Sequence, residues 1–211
     1  NDNEAVRLLT ELLPDQQRIL GDDHPDTLRT RHNIAHLTGQ CGHNNEALRL
    51  LTELLPATTR VFGDDHPETL NARASIANWA GRCGSYNEAL RLFTELLPDM
   101  ARILGDDHPR TLTARTSIAN LTGECGGYNE ALRLLTELLP GRQRVLGHNH
   151  PDTIATRHNI AHWTYKCGDR DEALRLSSEL LPDMVRVLGD DHPDTLTTRH
   201  QIERLRKEGP A

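Results

Sequence analysis

A seven-residue block, Gly-Asp-Asp-His-Pro-Asp-Thr, returns at a fixed spacing of 42 residues through the 211-residue chain. Its five copies begin at Gly21, Gly63, Gly105, Gly147 and Gly189, and only the fourth, Gly-His-Asn-His-Pro-Asp-Thr, departs widely. Self-similarity at one period is typical of small structural units stacked on one another. The spacing therefore predicts a single repeat array over residues 1–211 rather than a set of globular domains.

The composition is consistent with stacked repeats and argues against two classes of partner. Apolar residues make up 36% of the chain and aromatic residues 3%, too few for a deep central core, whereas stacked repeats bury their apolar stripes against neighbours. The net charge of -7 argues against nucleic acid or an anionic membrane as the main partner. We find no apolar run of about 18 residues and no signal-peptide pattern.

Cysteine occurs once in each repeat and is always followed by glycine: Cys41, Cys83, Cys125 and Cys167. Equivalent atoms in stacked helical repeats lie about 10 Å apart, which exceeds the reach of a disulfide. We interpret each cysteine as a small residue at a packed helix end. Together with the missing secretion signal, this usage favours a reducing, cytoplasmic setting.

Each unit reads as two helices. Pro25 follows the Gly-Asp-Asp-His turn at the first helical position, which proline favours, and Gly42 suits a helix end. A second helix opens near Asn45, with leucines at helical spacing on to Gly63. No segment alternates apolar and polar residues over the length of a strand, so the pattern predicts an all-α fold.

Proline falls in the middle of every second helix, at Pro56 and its equivalents Pro14, Pro98, Pro140 and Pro182. An interior proline removes one backbone hydrogen bond and clashes with the carbonyl four residues before it. The residues on both sides have helical spacing, so we predict one kinked helix rather than two. The hydroxyl of Thr52, at the clash position, is expected to bond to nearby backbone and ease the kink.

The unit resembles a tetratricopeptide repeat. Ile34-Ala35 before Gly42 and Glu46-Ala47-Leu48 after it match that family's small-residue and turn positions. The 42-residue form with G-x-x-H-P-x-T is similar to the kinesin-light-chain subtype, whose bacterial arrays often accompany signalling NTPase domains. Lysine occurs only at Lys166 and Lys207 while arginine is abundant, which suggests a high-GC, actinobacterial source.

The resemblance implies a right-handed superhelical α-solenoid of antiparallel helix pairs, with about ten helices. In this frame residues 1–20 are a second helix that lacks its first; full units span 24–65, 66–107, 108–149 and 150–191; and a capping helix occupies 192–211. The polar end, Arg206-Lys207-Glu208, suits a terminal cap facing water. We therefore expect the C-terminal part of a longer array.

One departure concerns packing. The first-helix position that the family usually fills with a large aromatic residue holds Thr38, Ala80, Thr122 and Thr164 here. We expect looser or narrower packing on the groove side at these positions.

The motifs of common enzyme classes are missing from the sequence. We find no Walker A pattern, no dinucleotide-binding glycine turn, no G-x-S-x-G and no H-E-x-x-H. The Asp22-Asp23-His24 trio recurs in later repeats, whereas an active site is normally singular. We interpret its carboxylates as helix N-terminal charges and His24 as a turn or cap residue. The sequence thus predicts no enzyme and no cofactor.

Residues that vary between repeats are better candidates for recognition. The resemblance implies that first helices line a concave groove, which would place there Arg29, His32, Asn33, His36 and Gln40; Asn71, Ser75, Asn78 and Arg82; Thr113, Thr116, Ser117, Asn120 and Glu124; and His158, Asn159, His162, Tyr165 and Lys166. Side-chain amides can bond the backbone of an extended peptide, and the cations can meet its carboxylates. An extended acidic or polar peptide is the predicted ligand; a plain solvated surface is the alternative.

Two histidine pairs, His32/His36 and His158/His162, each lie four residues apart in the sequence His-Asn-Ile-Ala-His. Two histidines at this spacing on a helix can bind one metal ion. The sequence offers no evident third ligand, so we expect no metal here. Metal binding is kept as one alternative for these pairs, and a groove whose binding depends on pH is the other.

The leading hypothesis is a protein-interaction module, the C-terminal scaffold or sensor part of a larger bacterial signalling protein. The alternative is self-assembly, because Val6, Leu9 and Leu13 would lie on an uncovered apolar face of the first helix.

Overall fold

The computed structural model describes residues 2–207, and this part of the chain contains ten α-helices and no strand. Their bounds are α1 Asp2–Leu20, α2 Pro25–Gln40, α3 Asn44–Phe62, α4 Pro67–Arg82, α5 Tyr86–Leu104, α6 Pro109–Glu124, α7 Tyr128–Leu146, α8 Pro151–Lys166, α9 Arg170–Leu188 and α10 Pro193–Lys207. The all-α class and the helix count are confirmed. Glu208, which we assigned to the polar cap, lies outside the described residues.

The helices fall into two compact units, each a stack of antiparallel neighbours. The first unit ends at Gly105 and contains α1 to α5; the second begins at Asp106 and contains α6 to α10. Within each unit, every helix packs mainly on the helices before and after it in the chain. This pattern of consecutive packing is that of a helix-pair solenoid.

Histidine caps each first helix. The Nδ1 atom of His24 accepts a hydrogen bond from the backbone N–H of Asp26 at 3.2 Å, which satisfies one of the donors that a helix start leaves unpaired. The same bond recurs at His66, His108, His150 and His192. The prediction that His24 serves as a cap residue is confirmed.

The Cys-Gly pair closes each first helix. Gly42 has a φ of 95°, a left-handed conformation that glycine adopts at low cost. Its N–H donates to the carbonyl of Gly39 at 2.9 Å, and the next N–H, of His43, reaches the carbonyl of Thr38 at 3.2 Å. These two bonds define a Schellman motif, with Cys41 as the C-cap residue. The interpretation of the cysteine as a helix-end residue is confirmed at this position.

Each second helix continues through its proline. Helix α3 runs without interruption across Pro56, so the prediction of one helix is confirmed. The Thr52 hydroxyl donates to the carbonyl of Leu48 at 2.7 Å. This carbonyl lies one turn before the one that Pro56 leaves unpaired, so the hydroxyl bonds to nearby backbone rather than to the orphaned group. Thr10, Thr94 and Thr136 make the equivalent bond.

Two buried tryptophans, Trp79 and Trp163, provide the large side chains that pack beside the first-helix alanines. Trp79 is 3% exposed and packs with Ala35, Ala47 and Leu51. Trp163, also 3% exposed, builds the matching cluster of the second unit with Ala119, Ala131 and Leu135. The expectation of loose packing beside Ala80 and Thr164 is therefore wrong, because a buried indole occupies the position one residue earlier.

The second acidic residue of the repeated block joins neighbouring repeats. The Arg60 guanidinium donates to the Asp23 carboxylate at 2.6 Å, across 37 residues of sequence. Arg102 and Asp65, and Arg144 and Asp107, repeat this contact. In the divergent fourth block the acceptor is the neutral amide oxygen of Asn149, 2.7 Å from Arg186. The block thus has a structural role in register, although exposed pairs of this kind contribute little free energy each.

Candidate functional site

The first-helix face of the first unit is polar and partly cross-linked. Arg29 on α2 bonds Glu68 at the start of α4, with its Nε 3.2 Å from the carboxylate. His32 lies further along, with its Nε2 atom 3.4 Å from the Asn71 amide nitrogen and 3.5 Å from the Ser75 hydroxyl. The structure therefore brings Arg29 and His32 of α2 together with Asn71 of the neighbouring first helix α4.

Exposed side chains follow on the same face towards the helix ends. Asn33 and His36 on α2, and Asn78 and Arg82 on α4, are all exposed. The His36 ring meets the edge of Trp79 at a centroid distance of 5.7 Å. The Arg82 guanidinium lies 4.9 Å from the same ring system, a cation–π contact that holds it against the helix. The buried Trp79 ring thus contacts two predicted recognition residues, His36 and Arg82.

The histidine pair of α2 does not converge on one point. His32 contacts Asn71 and Ser75, whereas His36 contacts Trp79 and the Gln40 amide, 3.1 Å from its Nε2. Among residues 2–207, no group of three His, Cys, Asp or Glu side chains is arranged to hold a metal ion. The alternative of metal binding therefore has no geometric support in the described part of the chain.

In the second unit, α6 contributes less to the surface than the sequence predicts. The Asn120 amide oxygen accepts a hydrogen bond from the Trp163 indole N–H at 3.0 Å, so Asn120 orients a core residue. Thr116, which we placed in the groove, is 9% exposed and donates to the Leu112 carbonyl at 3.1 Å. Its position in the groove is corrected: it belongs to the packed interior.

Burial favours the neutral form of two predicted histidines on α8. His158 Nδ1 lies 2.9 Å from the Thr198 hydroxyl on α10, and burial lowers the pKa of this imidazole despite the opposing charge of Asp194. Burial also lowers the pKa of His162, and the neighbouring Lys166, His158 and Arg204 add to the effect. The surroundings of His162 are therefore electropositive.

A pocket of about 540 Å³ lies between α8 and α10, and we call it the cationic pocket. Its lining consists of His162, Tyr165, Lys166, Thr197, His200, Gln201 and Arg204. The Arg204 guanidinium lies 5.1 Å from the Tyr165 ring centroid. None of these seven lining residues is acidic, in a chain with a net charge of -7.

A second pocket of about 400 Å³ lies between the N-terminal half of α8, the C-terminal end of α9 and the start of α10, and we call it the apolar pocket. Ile154, Met184 and Leu188 supply its hydrophobic lining, and Ile154 and Met184 are at most 1% exposed. Pro151 and Ala155 also line it, together with five polar residues: Asp152, His158, Asn159, His192 and Asp194. Asn159, a predicted recognition residue, thus borders this pocket, whereas His162, Tyr165 and Lys166 border the cationic one.

The α10 side of both pockets was missed from the sequence because α10 was interpreted only as a cap. The repeat period holds the signal that could have found it. His200, Gln201 and Arg204 stand one 42-residue period after His158, Asn159 and His162, which were singled out. Positional equivalence alone therefore predicts recognition residues on α10.

Stacked antiparallel helix pairs with a polar, variable first-helix face define the class of helical-repeat binding scaffolds. Models of the tetratricopeptide repeat match residues 1–26, 27–68, 74–140 and 112–181. The chain belongs to the tetratricopeptide repeat family. A search of curated proteins found no match.

Solved structures place the chain near the kinesin-light-chain form of this family. A Podosopora anserina protein, described as a kinesin light chain with nearly identical TPR-like repeats, is 25% identical over 88% of both chains, with a TM-score of 0.67. BtubC (BKLC) of P. vanneervenii is 15% identical, covering 100% of this chain and 94% of its own, with a TM-score of 0.69. The Rap protein complexed with Competence and Sporulation Factor is 12% identical, covering 98% of this chain and 60% of its own, with a TM-score of 0.72. The last two show the fold alone.

None of the helices between residues 2 and 207 combines the length and the apolar content needed to cross a bilayer.

Proposed function

We propose that the chain is a protein-interaction module whose first-helix faces bind an extended peptide segment or a partner domain. In the proposed setting it is the scaffold or sensor part of a larger bacterial signalling protein in the cytoplasm, without catalytic activity of its own. The family supports binding as the general role, and the structurally similar Rap protein was solved in complex with Competence and Sporulation Factor.

The contrast between the two faces of each helix pair carries this proposal. On the outer face the second helices repeat one arrangement, in which an arginine bonds glutamates three residues before and four residues after it, as Arg49 does with Glu46 and Glu53. On the first-helix face the exposed residues differ from repeat to repeat. A surface that varies on a constant scaffold is where specific recognition is expected.

Exposed amides define the chemistry of the proposed ligand. Asn33 and Asn78 are exposed, and each amide offers both a donor and an acceptor to a peptide backbone. Arg82 and Lys166 add cations that can pair with carboxylates. We therefore favour an extended acidic or polar peptide over a nucleic acid, which would require a basic surface.

Panning a displayed random-peptide library against the chain, followed by anisotropy titration of the selected peptides, tests the proposal. Asn33→Ala, Asn78→Ala and Arg82→Gln should each weaken binding several-fold for peptides that contact the first unit. Arg49→Gln is the matched control, because it removes another exposed arginine, from the outer face. Selected peptides whose affinity depends on Arg49 and not on any first-helix residue would overturn the proposal.

Self-assembly is the second candidate, and one observation favours it. Leu12 on α1 is 45% exposed, whereas its equivalents Leu54, Leu96, Leu138 and Leu180 are between 1% and 8% exposed. Helix α10 is a poor partner for this face, because the charged, exposed Glu203 stands where Ala35 is fully buried in α2. The assembly proposed is therefore a symmetric pairing of two α1 helices.

Light scattering over a hundred-fold range of protein concentration tests self-assembly. The average mass should rise towards that of a dimer, and Leu12→Lys should restore the monomer. A constant monomer mass in the unaltered chain would exclude this candidate.

A further inference from the structure

We infer that the crevice formed by α8, α10 and the C-terminal end of α9 recognises two side chains of one extended peptide, an acidic one in the cationic pocket and an apolar one in the apolar pocket, three or four residues apart. The inference rests on the proposed function, because it assumes that a peptide binds the first-helix face. It specifies which two kinds of peptide side chain are recognised, and it places both in one crevice of the second unit.

The cationic pocket has the composition of an oxyanion site. Lys166 is exposed at its rim, and Arg204 lies against the Tyr165 ring, which orients its planar fork of donors. Thr197 and Gln201 add neutral donors within the same lining. A carboxylate in this position would face several hydrogen-bond donors, and the seven residues that line the pocket include no acidic one.

The surroundings of His162 also favour a bound carboxylate in the cationic pocket. Lys166, His158 and Arg204 each lower the pKa of this imidazole, after the larger effect of burial. A carboxylate beside these groups would offset the repulsion and favour the imidazolium. Binding of the acidic side chain should therefore be coupled to proton uptake by His162, and it should tighten as the pH falls from 8 towards 6. The titratable groups that face His162 from its own helix and from α10 are Lys166, His158, His200 and Arg204.

The apolar pocket suits one hydrophobic side chain. Ile154, Met184 and Leu188 form a hydrophobic lining, with Asn159 and Asp194 among the polar groups around it. An apolar lining with a few placed polar groups is the usual form of a specificity pocket, and about 400 Å³ is ample for a leucine or methionine side chain.

The two pockets lie along the same helix, which sets the spacing of the ligand. The α8 residues that line the apolar pocket centre on Ala155, and those of the cationic pocket centre on about residue 164. At a rise of 1.5 Å per residue, this separation of about nine residues is on the order of 14 Å. Four residues of β-strand span about 13 Å, and the two side chains then point the same way. Three residues of polyproline-II chain also place two side chains on one side but span only about 9 Å, so the long side chains of the ligand and of Lys166 and Arg204 must bridge the remainder.

The preceding repeat of the second unit has neither the methionine of the apolar pocket nor the tyrosine of the cationic pocket at the equivalent positions. Arg142 occupies the position equivalent to Met184; it is 2% exposed and donates to Thr113 and Thr156. Gly123 occupies the position equivalent to Tyr165 and lies under the Trp163 ring. The paired pockets are thus a property of α8 and α10 and not of every repeat in this unit.

The test uses fluorescein-labelled nine-residue peptides of Gly and Ser that carry one Leu and one Glu, separated by one, three, four or seven positions, titrated against the full chain. Separations of three or four should bind at least tenfold more tightly than one or seven. Replacing the Glu by Gln should remove that advantage. In the double variant Lys166→Gln/Arg204→Gln, the Glu and Gln peptides should bind alike, which is the signature of direct coupling in a double-mutant cycle.

The apolar pocket is tested separately by Met184→Arg, which introduces the residue found at the equivalent position 142 and should abolish the preference for Leu over Gly. Ala155→Gln, at an exposed rim position, provides a second obstruction that leaves the core intact. Arg175→Gln on the outer face is the matched control and should change nothing.

Equal affinity for Glu and Gln peptides at every spacing, or a Glu preference that survives the double variant, would overturn the inference. Library-selected peptides that depend on Asn33 and Asn78 but show neither preference would overturn it as well, while leaving the proposed function intact. The imidazole proton signals of His162 provide an independent readout: their titration midpoint should rise when the Leu/Glu peptide is bound, and a midpoint that does not move argues against a carboxylate in the cationic pocket.

Discussion

Gly39 of α2 lies directly against the indole of Trp79 on α4, so closely that a Cβ atom on the glycine would be 2.3 Å from the ring carbon Cη2. Gly123 and Trp163 repeat this relationship in the second unit, at 2.5 Å. Both indoles belong to fully packed clusters that include alanines of the preceding helix pair. The glycine is therefore required by the close approach of a neighbouring helix and not by its own backbone conformation, which is helical.

Gly39→Ala is expected to destabilise the first unit by about 1–3 kcal/mol, because the Trp79 ring or the helix must shift in a packed core. Gly141→Ala is the matched control, since a Cβ on this helical glycine has nothing within 4 Å. That change should raise stability by about 0.5–1 kcal/mol through lower backbone entropy in the unfolded chain. Urea unfolding followed by circular dichroism checks both, and equal effects at the two positions would contradict the packing explanation.

His108→Ala is expected to lower the free energy of unfolding by about 0.5–2 kcal/mol, because the backbone N–H of Arg110 loses its acceptor at the start of α6. His108→Asn should retain most of the stability, since an amide oxygen can accept the same bond. Denaturant unfolding at pH 7 is the measurement. If the alanine and asparagine variants unfold at the same urea concentration, the cap has no energetic role.

Arg142→Met is expected to be neutral or stabilising, by up to about 4 kcal/mol, because the buried guanidinium bonds a backbone carbonyl and two hydroxyls and its Nε has no partner. Burial also lowers the pKa of this arginine, with Asp152 opposing. Methionine already occupies the equivalent positions 100 and 184. Thermal unfolding compares the two proteins, and a loss above about 2 kcal/mol would show that the arginine's hydrogen bonds outweigh its desolvation.

The stability of the second unit should decrease as the pH falls from 7 to 5. His158 and His162 have pKa values lowered in the folded state, so the folded chain binds fewer protons than the unfolded chain below the ordinary imidazole pKa of about 6.5. The stabilisation is present above that value and is lost as the pH falls through the lowered pKa values. His158→Gln should reduce the slope of stability against pH. An unchanged slope in this variant would contradict the assignment to His158.

Much of the local structure could be predicted from the sequence, because the interactions that form it connect residues close in the chain. Pro25 with His24 specified where α2 begins, and Gly42 specified where it ends. The continuous helix through Pro56 followed from apolar spacing on both sides. Each of these features depends on hydrogen bonds within about five residues, and the 42-residue period repeats them.

The candidate site was predictable only in part. Counting from the repeated block located His32, Asn71, His158 and His162 on first helices that pack side by side. The roles of Asn120 and Thr116 were not visible, because a polar residue on a first helix can point to the surface or bond within the core. The cationic pocket was missed on its α10 side, although the repeat period marks those positions.

By itself, the sequence determined an all-α array of capped helix pairs, its register and its tetratricopeptide family, since these depend on short-range hydrogen bonding and on a period repeated along the chain. Only the tertiary structure decided that Gly39 receives Trp79, that Asn120 holds Trp163, and that His162 and Arg204 line one pocket. These contacts join residues about one repeat apart. Their geometry depends on how closely neighbouring helices pack, which is set by the volumes of all the side chains between them.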